Sequence, residues 1–111
     1  MQIEEKILGK ITHAEFGQYP DRPFLFGLQL CFDFKGGGVC CGGKYTVNIS
    51  EQCGWDSREE KLKAFEKMIK TTNKILDDAN VKHVSELKNK PAQVTLYKNC
   101  FKDFRILTEV I

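Results

Sequence analysis

Phe24-Leu25-Phe26-Gly27-Leu28-Gln29-Leu30-Cys31-Phe32-Asp33-Phe34 puts a large apolar side chain at six successive even positions. A strand turns alternate side chains to opposite faces, so this period of two predicts one long strand whose even face forms the centre of the core. Gly27, on the other parity, predicts a bend or bulge where another segment packs close.

The segment that follows, Lys35, Gly36, Gly37, Gly38, Val39, Cys40, Cys41, Gly42, Gly43 and Lys44, holds five glycines and two adjacent cysteines. Its composition predicts an enlarged, exposed hairpin loop with a backbone free to take positive φ, longer than reversal alone requires. This loop is the first candidate partner-binding site, and its N–H groups, flanked by Lys35 and Lys44, could also cradle an anion. Beyond it Tyr45, Val47 and Ile49 alternate with polar residues as a third strand, antiparallel to the second. On the N-terminal side, Gly17, Pro20 and Pro23 mark a surface loop. Before that loop, residues 6–16 carry apolar side chains on both parities, Leu8, Ala14 and Phe16 on one and Ile7 and Ile11 on the other. That pattern predicts a strand covered on both faces for part of its length.

In the second half, Asp56 with Glu59 or Ser57 with Glu60 supplies a capping box, so a helix should start within a residue of Ser57. Leu62, Phe65, Ile69, Ile75, Leu76 and Ala79, with Met68 beside them, draw an apolar stripe along about six turns that should lie on the sheet. Asn80 is the expected left-handed terminator. Val84 and Leu87 anchor a basic connector that ends before Pro91. Val94 and Leu96 then read as a fourth strand, the segment from Lys98 to Cys100 as a turn, and Phe104, Ile106, Thr108 and Val110 as the inward parity of a fifth. The order β-β-β-α-β-β in one domain, residues 1–111, predicts an α+β fold: a five-stranded antiparallel sheet with one long helix packed on it. A small barrel of the OB type, which inserts its helix at the same point, is the alternative.

The hydrophobic fraction of 41% and charged fraction of 29% are those of a globular domain. No run of about 18 apolar residues occurs, and the first residues lack the pattern of a signal peptide, so a cytoplasmic protein with no membrane partner is expected. Cys31, Cys40, Cys41, Cys53 and Cys100 should then be reduced, with Cys31 and Cys100 packing on strand faces. The net charge of +2 is uneven: residues 1–56 hold five Lys or Arg against seven Asp or Glu, and residues 57–111 hold twelve against eight. A total this small predicts at most weak, salt-sensitive binding to nucleic acid, and the excess in the second half reads first as a solvated helix face.

Cys40, Cys41 and Cys53 with His13 or His83 are the residue types that bind zinc, but no CxxC pair is present and adjacent cysteines on a strand point apart, so neither metal nor cofactor is expected. No local motif sets a histidine beside a cysteine, and GxSxG, HExxH and GxxxxGK[ST] do not occur, so the sequence reads as a binding protein and not an enzyme. The aromatic residues Tyr19, Tyr45, Trp55, Tyr97 and Phe101 could stack on bases. Tyr45 and Tyr97 with Lys98, Lys102 and Arg105 are the candidate nucleic-acid-binding residues, to be weighed against ordinary rim packing.

Two stretches carry a resemblance. The segment from Gly36 to Tyr45, and the segments from Leu76 to Val81 and from Ser85 to Pro91, are similar to a group of small proteins carried by phages and prophages. Members share a glycine-rich segment ending in Gly-Gly-aromatic, a helix, a Leu-x-Gly-Lys-Pro-like turn and a closing strand pair; here Asn89 stands at the turn glycine. The resemblance implies a phage accessory protein that binds and blocks a host defence protein, foremost an anti-CRISPR protein occluding a Cas nuclease. A sponge for a nucleotide signal is its neighbour.

Overall fold

The structure, a computed structural model, describes residues 4–50, 54 and 57–107. Its elements are β1 (Glu4–Gln18), β2 (Leu25–Phe34), β3 (Gly37–Cys40), β4 (Thr46–Asn48), α1 (Arg58–Ala79), a 3-10 turn at Val84–Leu87, β5 (Pro91–Tyr97) and β6 (Cys100–Ile106). The expected α+β class, with one long helix on an antiparallel sheet, is present. The sheet has six strands, in the order β3-β2-β1-β5-β6 with β4 also on β2.

The sixth strand comes from the glycine segment, where the expected ten-residue loop is replaced by a strand. Phe34 pairs with Gly37, so the chain reverses through Lys35 and Gly36 alone. Gly36 sits at φ 92, as the second residue of a type II turn requires. β3 and β4 then follow the same edge of β2, out of step. Cys31 faces Cys40 while Gly27 faces Thr46, which leaves two residues too many between them. The excess is taken up at Gly42, φ 62, and in short bonds from Lys44 N–H to the Cys41 carbonyl and from Thr46 N–H to the Gly43 carbonyl. Where β4 rejoins, a Cβ on Gly27 would lie 2.4 Å from the Tyr45 carbonyl oxygen, which is the close approach the sequence predicts at this glycine.

β1 resolves its two parities by a bulge. Ile11 pairs with Phe32 and His13 with Cys31, so Thr12 is the extra residue and the inward parity changes there. Ile7 and Ile11 turn inward before it, Ala14 after it, and Leu8 is 66% exposed. The strand is therefore not covered on both faces. Its Glu4–Lys10 half pairs with β5 and its Gly9–Gln18 half with β2, so one strand serves both ends of the sheet.

The even face of β2 is the core, as its alternation requires: Leu28, Leu30 and Phe32 are at most 2% exposed. Around them pack Ile11, Ala92, Val94, Leu96, Ile106 and Leu87 of the 3-10 turn. The sheet curls so far that Phe32 meets rings of β6 across two intervening strands, 4.9 Å from the Phe104 centroid and 5.4 Å from Phe101.

Helix α1 starts at Ser57, whose hydroxyl accepts the Glu60 N–H at 3.2 Å, and ends at Asn80 in the left-handed region. Its buried residues are Thr72, Ile75 and Ala79. The expected stripe is only partly covered, because Leu62 and Ile69 are each 54% exposed. Thr108 and Val110 lie outside the described residues.

Candidate nucleic-acid interface

The glycine segment does not present a flexible tip. Gly37, Gly38, Val39 and Cys40 are committed to the ladder with β2. Cys40, its side chain turned outward, bridges Cys31, the residue directly opposite it on β2, in a disulfide. These two thiols were expected reduced; register places them face to face instead. Cys41 points the other way and is 6% exposed in the core. Its Sγ accepts the Leu30 N–H at 3.3 Å, standing in for a carbonyl after the strand has turned away. Burial pushes this thiol above its ordinary range, which leaves it a poor nucleophile. Cys100 is exposed at the start of β6 and not packed, and Cys53 lies outside the described residues.

The residue of the segment that does reach outward to another element is Lys44. The out-of-step junction aims it across to β6, where its ammonium donates to the Lys102 carbonyl and lies 5.6 Å from the Phe101 ring centroid. A cleft of about 430 Å³ opens there, lined by Lys44, Tyr97, Cys100, Phe101 and Lys102. Its tip is the two-residue turn Lys98-Asn99, with φ of 51 and 64, the type I′ geometry that suits a hairpin. Lys98 lies 5.4 Å from the Tyr97 ring centroid. Lys102 pairs with Glu4 at 2.5 Å, which lowers the Glu4 carboxyl and raises the Lys102 ammonium.

Lys44 also lines a second cleft of about 320 Å³, between β4 and α1, together with Tyr45 and Lys67. Lys67, Lys44 and Lys102 thus line two adjoining clefts that share Lys44, and Lys98 sits over the Tyr97 ring at the edge of one of them. Among the described residues only Lys102 of these four has an ion-pair partner.

Of the predicted nucleic-acid residues, the structure brings Tyr97, Lys98 and Lys102 together. Tyr45 departs from the expected exposed platform: its half-buried ring packs edge-on against Phe101 and Phe104, and burial raises its hydroxyl well above the ordinary value. Arg105 lies apart, 3.4 Å from Gln93 and beside Lys74, Asp78 and Asp103 in another cleft. Sequence reading missed the partnership of Lys44 with Phe101 because it depends on the curl of the sheet. Among the described residues no three His, Cys, Asp or Glu side chains gather as a metal site would need. No helix there is long and apolar enough to cross a membrane. No known protein family, curated protein or solved structure matches this chain.

Proposed function

We propose that this chain is a small binding module of OB type whose ligand is single-stranded nucleic acid, and that it has no catalytic role. The observation that carries the reading is the convergence of Lys44, from the glycine segment, with Lys102 and the Tyr97 and Phe101 rings of the β5–β6 hairpin at one cleft, with Lys98 over the Tyr97 ring. Support for the barrel architecture comes from the strand order, the bulged β1 shared by both ends of the sheet, the single helix between β4 and β5, and the ring contacts across the interior.

The cleft suits a base and its phosphate. An exposed cation over a ring contributes about 0.5–1 kcal/mol, whereas a base stacked on the ring contributes about 1–3 kcal/mol, so a base can displace Lys98 from Tyr97. The freed ammonium then reaches the adjoining phosphate. Three lysines contacting three phosphates give a salt slope of about −2 for a single strand, consistent with modest affinity from a net charge of +2.

Fluorescence anisotropy with a labelled single-stranded oligonucleotide, taken from low to physiological salt, tests this. The expected result is binding that weakens with that slope and is lost on Tyr97→Ala or Lys98→Glu. No binding at low salt would reject the reading and leave the protein-partner proposal, a blocker of host defence as the phage resemblance implies, to be tested by pull-down from a bacterial lysate.

A further inference from the structure

A second surface lies on the first half of α1, away from the lysine cleft. Leu62, Phe65 and Ile69 repeat at spacings of three and four, the a/d seam of a heptad, and Leu62 and Ile69 are each 54% exposed. The domain does not use this seam until Thr72, which is buried. Instead Ala64, Met68 and Thr71 line the side of the helix that faces β4.

With Leu62 and Ile69 at a and Phe65 at d, Lys61 takes a g position and Glu59 and Glu66 take e positions. A helix laid antiparallel against its own copy would set e beside e, carboxylate against carboxylate. A parallel copy sets g beside e, so Lys61 of each chain faces Glu66 of the other, twice about the two-fold axis. We infer that this face docks a second copy of the chain, helix parallel to helix.

Neither charge is committed elsewhere in a way that blocks this. Glu66 holds Lys70 at 2.6 Å, but both side chains are well exposed, and such pairs exchange at little cost. The Lys61 ammonium lies 5.9 Å from the Phe65 ring centroid, already beside the seam. Because the seam spans only about two turns before Thr72, the dimer should be weak.

Sedimentation equilibrium on the full chain, from about 1 μM to 1 mM, reads the association directly. The expected result is a reversible monomer–dimer equilibrium that Ile69→Glu abolishes. Lys61→Glu and Glu66→Lys should each weaken it by about tenfold, and the two together should restore it. A chain that stays monomeric throughout overturns the inference, as does a dimer that Ile69→Glu leaves intact, or a double charge exchange no better than the single ones. Far-UV circular dichroism checks that the variants fold. If Ile69→Glu does not, the exposed charge variants still decide.

Discussion

On one edge of the sheet β6 is a single strand from Cys100 to Ile106, with one bulge at Lys102, and is fixed by side chains, with Phe101, Phe104 and Ile106 turned into the core. On the other edge β3 and β4 together contribute little apolar surface, Val39 and Val47, and are fixed by a disulfide, a thiol acting as backbone acceptor, and two glycine-assisted turns. The difference follows from composition. A strand with rings on its inner face can be held by packing, whereas one made of glycine and cysteine needs covalent and hydrogen-bond restraints.

The strongest way to break the contrast is to remove what both edges share. Phe32 pairs with Val39 of β3 and touches both β6 rings, so Phe32→Ala should cost about 3–5 kcal/mol in urea unfolding. A loss under about 1 kcal/mol would mean that the rings do not meet across the interior. The next largest effect isolates the weaker edge. Opening the Cys31–Cys40 bridge with a dithiol removes a short-loop crosslink worth about 2–3 kcal/mol. Amide exchange should then quicken in β3 and β4 and hardly change in β6; equal acceleration of both would show that the edges are not independently held.

The smallest effect concerns Cys41. Replacing it by Ala strands the buried Leu30 N–H and should cost about 1–3 kcal/mol, while Ser, which keeps an acceptor, should cost less. The thiol also carries a pH signature. Burial raises its folded pKa above the ordinary 9.0 of a thiol. Above that pH the unfolded state therefore holds fewer protons than the native one, and stability falls as pH rises. Cys41→Ala should flatten that decline at its onset; the part due to Tyr45, whose sign is the same, begins higher, near the ordinary 10.0 of a phenol, and remains. An unchanged profile would count against a buried, protonated thiol.

These edges also mark how far the sequence could be read. The core strand, the helix with its Ser57 and Asn80 caps, and the closing strand pair were legible, because alternation and capping are local signals. The glycine segment was misread for a physical reason: pairing with an already formed β2 can hold residues of low strand propensity in a ladder. The two parities of β1 were visible, but a bulge and two-sided burial write the same pattern. In the candidate site Tyr97, Lys98 and Lys102 could be found since a hairpin brings them together, whereas the inward turn of Tyr45 and the reach of Lys44 arise only once the sheet curls. Leu62 and Ile69 looked like core because periodicity marks an apolar face without saying what covers it.

The sharing of β1 between both ends of the sheet also orders events in time. Its Gly9–Gln18 half closes on β2 through a short local connection, but its Glu4–Lys10 half must wait for Pro91–Tyr97, which follows only after the helix. During synthesis on the ribosome that half, with Leu8 exposed and Ile7 unburied, stands as an open strand edge until Pro91–Tyr97 has emerged. The charges that flank it, Glu4, Glu5, Lys6 and Lys10, sit where a nascent chain most needs to discourage a neighbour from pairing first.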